Sequence, residues 1–475
     1  MTLASQASRE ARPGGRWSTP DLLTDLLRLA ALERAVAHVI AGWVPKVPDL
    51  DDKLAIAAGF EDAMVRASAL RQHALALLER DELGLAADPL WTAPLRELDR
   101  CADQAAVVDG LLGDVPSFLL DRYRALEAGL DPLLDTRLIA TVSTAIGRLA
   151  SDVSPIGTAA RRRVHQGSLA AALASAWTGQ SAARVPLDDA LWQPNGRVPV
   201  PARPAGRERP TTGVRGHFRK GSRLTIEDLA GELNDNVMAE LCALELLCRS
   251  SYEHPRQPWS VHLAIARHGT DEARHAAIFR RLLNANGIDE STLHQHGANY
   301  EYSYEFPECE PGSERELLWR LIILCTVLEA LAIDKLPVEI GGRDFVGQSD
   351  FARALDYIAA DELFHTENGL RLTRRLCEKL NLDPILERER VHGRFFGRQR
   401  DVRIEYLEAD ADRAAAEIAI LEAPDPDGVP YVSRTEVELR LRASFTIEEC
   451  QQVERWQYNP VRHERLEAPV EPASS

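Results

Sequence analysis

Two five-residue stretches, Asp271-Glu272-Ala273-Arg274-His275 and Asp361-Glu362-Leu363-Phe364-His365, decide how this chain is read. Each carries a Glu and a His in i, i+3 spacing within a long run of helical periodicity. At that spacing a carboxylate and an imidazole share one helix face, so both reach a single cation. Each pair also follows an earlier helical run with an acid at a matching distance. Glu240 stands 32 positions before Glu272, and Glu329 stands 33 before Glu362. Glu245 competes with Glu240, but its separation from Glu272 is only 27. Two similar antiparallel hairpins need similar separations, which favours Glu240. One Glu from each of two helices and a Glu-x-x-His from each of two others is the ligand pattern of a two-metal carboxylate site inside a four-helix bundle.

The flanking residues support that pattern. Ala264, Ile265, Ala276, Ile278 and Phe279 surround the first pair, and Leu324, Val327, Leu328, Ala330 and Leu331 surround Glu329. A carboxylate buried unpaired among such neighbours is costly, and a cation removes the cost. Carboxylate oxygens with one imidazole per ion suit hard to borderline divalent cations, and soft thiolates do not. Four carboxylates balance two divalent charges, so Glu272/His275 and Glu362/His365 are expected as chelating pairs, completed by Glu240 and Glu329. A solvated helix pair is the plain alternative for either motif taken alone.

Composition narrows the rest. At 475 residues the chain exceeds one ordinary core. A net charge of −17 with no compensating basic block disfavours generic nucleic-acid or anionic-membrane binding. No apolar run reaches the ~18 residues of a membrane span, and the polar start has no signal-peptide core. Seven cysteines without Cys-x-x-Cys spacing read as free thiols, and the expected location is cytoplasmic. No Gly-x-Ser-x-Gly or phosphate-binding Gly-rich loop appears.

The expected fold class is predominantly all-α. Residues 1–19 read as a disordered leader and 20–184 as an N-terminal helical domain broken at Pro45, Pro48, Pro89 and Pro132. Leu54 to Leu78 and Pro116 to Ala128 are its amphipathic helices. A Pro-rich linker follows over 185–221, which cannot sustain a helix. Residues 222–380 hold four long helices, expected over Thr225–Ser250, Pro258–Asn284, Glu314–Leu336 and Ser349–Leu380, with Ser313 capping the third. The last stretch, 381–475, is a small mixed extension. Val402–Tyr406 and Val437–Arg442 alternate like strands, and Ile447–Trp456 reads as a helix. Glu33 and Glu61 lie 28 apart and suggest a worn copy of the same hairpin, but Met64 stands where a His partner would be. That domain is expected to buttress or dimerise.

The combined pattern, Glu240 … Asp271-Glu272-x-Arg274-His275 … Glu329 … Asp361-Glu362-x-x-His365, resembles the ferritin-like di-iron carboxylate superfamily. Its Asp-Glu-x-Arg-His is similar to the motif of soluble di-iron monooxygenases, acyl-carrier-protein desaturases and ribonucleotide reductase small subunits. The resemblance covers roughly a third of the chain. It implies a ferritin-like four-helix bundle, two Fe ions (Mn or mixed Fe/Mn as variants) and O2 as co-substrate. It also implies that Asp271 and Asp361 lie behind the ligands, Asp271 accepting from His365 and Asp361 from His275. His268 shares a face with Glu272 and His275. It is similar to the third histidine ligand of arylamine N-oxygenases, although there the extra histidine precedes the second motif; a core or surface histidine is the alternative. The family's Thr one turn after the third-helix Glu is absent, since Ile333 stands there, with Thr326 as a substitute by position only.

The expected activity is that of an O2-dependent non-haem di-iron oxidoreductase. It would hydroxylate, N-oxygenate or desaturate a small organic substrate through a bridging peroxo-diferric species. The expected partners are that substrate, an external electron donor and a second copy of the chain. The alternatives are a ferroxidase or rubrerythrin-like peroxidase, and a non-catalytic scaffold that keeps its metal for stability.

Overall fold

The computed structural model describes residues 19–78, 86–151, 168–179, 185–187, 193–203, 208–209, 226–290, 293, 295–296, 306–345, 349–395 and 436–455. Among them the protein is all-α, apart from two-residue bridges of Ala86–Ala87 with Val185–Pro186 and Glu208–Arg209 with Gln295–His296. No described helix is long and apolar enough to cross a membrane. The seven cysteines form no disulfide. The expected leader, the strand over 402–406 and the tyrosines 300, 302 and 304 lie outside the described residues.

The chain divides into two compact units. One is Met1–Ala202 with Leu247–Arg274, the other Arg203–Leu246 with His275–Ser475.

In the first unit, α1 (Thr19–Trp43) is the central element, buried almost without interruption from Leu29 to Trp43. Pro45 ends it in a 3-10 turn, Val44–Lys46. The single amphipathic run expected over Leu54–Leu78 is two helices, α2 (Leu50–Ala57) and α3 (Gly59–Leu78). Asp49 caps α2 by accepting from Asp52 N, and α3 packs along α1. Two short helices, α4 (Ala93–Asp99) and α5 (Gln104–Asp109), lead into a π-turn at Gly110–Asp114 and then α6 (Val115–Glu127). Pro116, which would clash with the carbonyl four residues back in a regular helix, sits just after the widened turn. The helices α7 (Thr136–Ala150) and α8 (Ser168–Thr178) complete this part. Glu33, inside α1 and fully buried, is held by Arg66 Nε and Nη2 at 2.6 and 2.9 Å and by Tyr123 Oη at 2.9 Å. An arginine thus neutralises this carboxylate, and Glu61 lies elsewhere, its backbone N–H donating to Thr270 Oγ1.

The long helices follow: α9 (Ile226–Glu253), α10 (Trp259–Ala285) and α13 (Ser349–Leu380). Between α10 and α13 a helical run is built of α11 (Glu314–Leu321), a π-segment (Ile322–Leu328) and α12 (Glu329–Phe345). This run passes through Pro337 instead of stopping at Leu336. Its start is capped as expected, Ser313 accepting from Glu316 N, while Glu316 Oε2 accepts from Gly312 N. Both α10 and α13 end in the same way. Gly287 (φ 71°) and Asn381 (φ 53°) take the left-handed conformation. The following N–H groups, of Ile288 and Leu382, then reach back to Leu283 O and Cys377 O at 3.1 and 2.8 Å.

The C-terminal extension corrects the sequence reading. Val437–Arg442 is not a strand but a helix, α14, followed by α15 (Ile447–Arg455). Alternation assumed that the arginines face water. Instead Arg440 is 1% exposed and clamps Asp334, also buried, through Nε and Nη2 at 3.0 and 2.6 Å, while Leu441 is left exposed. Val437 and Leu439 pack against Ala330, Ile333, Leu370, Ala443, Phe445 and Cys450. A buried ion pair overrides the polar–apolar pattern here.

Candidate metal centre

Six of the expected site residues occupy long helices at positions set by helical spacing. Glu240 is on α9, Glu272 and His275 are on α10, Glu329 opens α12, and Glu362 and His365 are on α13. All but Glu240 are buried, with Glu272, His275 and His365 at 0% exposure.

Within the second unit the imidazole of His275 is the focus. Its Nδ1 lies 3.6 Å from Glu240 Oε2 and 3.7 Å from Glu362 Oε1. His365 Nδ1 lies 3.8 Å from Glu362 Oε2, and the two histidine rings are 5.8 Å apart. These gaps exceed an N–H···O hydrogen bond, about 2.7–3.2 Å. Two ligand atoms that share one ion at bonds of about 2.0–2.2 Å stand roughly 3–4 Å apart. The cluster has the second spacing.

His275 turns its other nitrogen to a carboxylate. Its Nε2 is 3.1 Å from Asp361 Oδ2, which puts the ring proton on Nε2 and the lone pair of Nδ1 toward Glu240 and Glu362. The counterpart acid, Asp271, accepts from Arg274 Nη2 at 2.7 Å, one turn along its own helix.

Glu272 and His268 precede His275 on α10 by one and two turns. His268 is 3% exposed, with Nε2 2.8 Å from Glu272 Oε1. Two groups of four have ligand atoms within 4.8 Å of one another: Glu240, Glu272, His275 and Glu362, and His268, Glu272, Glu329 and His365. Glu272 belongs to both. The donors are carboxylate oxygens and imidazole nitrogens with no thiolate, and buried carboxylates in such numbers repel one another unless cations stand between them. Either group therefore fits a divalent ion, and Glu272 is common to the two.

The competing acid has a different partner. Glu245, fully buried five residues beyond Glu240, is gripped by Arg203 at 2.7 and 2.9 Å. That arginine comes from the Pro-rich linker, 42 positions away, so helical spacing on α9 alone could not reveal it.

Three features were not legible in the sequence. The π-segment Ile322–Leu328 ends against Glu329, so the register of that carboxylate is set by a widened turn. Thr326 Oγ1 donates to Ile322 O at 2.7 Å, which assigns its hydroxyl to the turn. Thr366, one turn beyond Glu362, is 0% exposed, and its Oγ1 has no hydrogen-bond partner among the described residues. Its position four residues after Glu362 was the one available signal.

Comparison with curated proteins finds no match, and comparison with solved structures finds none either. Residues 160–418, more than half of the chain and a span that holds every residue of the Glu/His cluster, match the family model described as "Protein of unknown function (DUF455)", and the chain belongs to that family.

Proposed function

We propose that this chain is an O2-activating non-haem di-iron oxidoreductase acting on a small organic substrate, built on a ferritin-like four-helix bundle. The observation that carries the reading is the pair of Glu/His quartets joined through Glu272. Two irons, if bound there, would supply the electrons and the site for O2. The chain's own residues then have separable tasks. Glu240, Glu329, Glu362 and Glu272 would hold the ions and match their charge, and His275, His365 and His268 would supply the nitrogen donors. Asp361 keeps the His275 proton on Nε2 and the ring in its orientation. Buried apolar side chains on the same helices, such as Ile358 one turn before Glu362, would exclude water from the site. Electrons to restore the reduced state come from an external donor.

The test is anaerobic loading with Fe(II), then rapid mixing with O2 while visible absorbance is followed, with Glu272→Ala alongside. About two irons per chain and a transient visible band, both lost in the variant, are the expected results. A long-lived band supports the oxygenase. Rapid decay with continued oxidation of added iron would replace it by a ferroxidase, and failure to bind iron would remove both.

A further inference from the structure

The geometry points to Gly369 and Cys325 as a positioning pair, a helix-to-helix contact without side-chain clearance that sets the spacing of the metal-bearing helices. The inference rests on the two-metal reading. Gly369 lies on α13 four residues after His365 and seven after Glu362, on the ligand face. Cys325 lies in the π-segment four residues before Glu329. The contact is thus one helical turn, about 6 Å along each axis, from ligands on both helices.

A Cβ built on Gly369 would overlap the Cβ of Cys325 and stand 2.7 Å from its Sγ and 3.4 Å from its Cα. Non-bonded heavy atoms need about 3.5–4.0 Å. A methyl group at Gly369 therefore requires the helices to part by about 1.5–2 Å, and Cys325 cannot swing its Cβ away because that atom is fixed to the backbone. Metal–ligand bonds tolerate about 0.2 Å. Separation one turn from Glu329, Glu362 and His365 should therefore cost metal binding before it costs the fold. The same clash explains why only glycine serves at 369 although its backbone is an ordinary helix: the requirement is space, not φ.

The geometry also dictates which second change restores binding. Cys325→Ala keeps the overlapping Cβ, and Cys325→Gly removes it, leaving the 3.4 Å approach to Cα that a small adjustment absorbs.

The test is anaerobic Co(II) titration, read by the cobalt absorption bands, with circular dichroism to follow the fold. Wild type, Gly369→Ala, Gly369→Ala/Cys325→Ala and Gly369→Ala/Cys325→Gly are compared. Gly369→Ala should bind at least about tenfold more weakly, the loss seen when support of a ligand is removed. The Cys325→Ala double variant should stay weak and the Cys325→Gly double variant should recover most of the loss. Wild-type affinity in Gly369→Ala, equal recovery by both double variants, or failure of the Cys325→Gly double variant to fold and bind would each overturn the pairing. Wild-type protein that binds no cobalt would instead overturn the two-metal reading.

Discussion

Removing the Asp361 carboxylate tests how the centre is held without touching a ligand. His275 is fully buried, and its Nε2 meets Asp361 Oδ2 at 3.1 Å, so this contact fixes which nitrogen faces Glu240 and Glu362. Without it the ring can carry its proton on Nδ1, the form that cannot bind a cation, or rotate away from it. Loss of such an orienting partner generally costs ten- to a hundredfold in metal affinity. The Asp361 side chain is 26% exposed, so water screens part of its charge and takes over part of the hydrogen bonding. The lower end applies: about tenfold, or about 1.4 kcal/mol, for Asp361→Ala. Asp361→Asn retains an acceptor oxygen without the charge and should fall between. The assay is anaerobic Co(II) titration against a competing chelator, with thermal melts of the metal-free proteins to show equal folding. Affinity of Asp361→Ala within about twofold of wild type would refute the reasoning, because Nε2 would then not control Nδ1.

Two further predictions concern stability. Arg440→Ala leaves Asp334 charged and buried, stripping it of contacts at 3.0 and 2.6 Å, and should cost about 3–5 kcal/mol in urea unfolding or release residues 436–455 to proteolysis. Replacing both partners, Arg440→Met with Asp334→Leu, should cost far less, and equal losses would refute the ion-pair account. His262 is held at a pKa of about 3, first by burial and then by the nearby Arg34 charge. The unfolded chain takes up a proton near the ordinary 6.5, which the folded chain refuses, so the stabilisation is complete above that pH and is lost as pH falls. From about pH 7.5 to 5.5 the loss from this group should be about 1.4 kcal/mol, and His262→Asn should show a melting profile flatter by that amount. His38, likewise pushed well down by burial and then by His262, adds in the same direction.

How much of this could be read without coordinates depended on the range of the interaction involved. Helices α9, α10 and α13 begin and end within a few residues of expectation, α13 at Ser349–Leu380 itself, because caps, left-handed stop residues and apolar periodicity act within a turn or two. That Glu272 shares a helix face with His275, and Glu362 with His365, is likewise local, because helical geometry alone sets it. Val437–Arg442 was misread for the opposite reason. Its alternating residues describe a strand only if the arginines meet solvent, and Asp334, about a hundred positions earlier, takes Arg440 inside.

The sequence by itself therefore determined the helices and the face of each that carries carboxylate and imidazole, since a repeat of 3.6 residues is enough to compute both. Which of those faces meet was decided only by the tertiary structure. Packing brought His275 against Glu240 and Glu362 at 3.6–3.7 Å, while Arg203 from a Pro-rich stretch took Glu245. It also set a π-turn before Glu329 and let α13 approach that turn at Gly369 more closely than any side chain allows. The three contacts join atoms tens of residues apart, and no spacing rule along one helix carries that information.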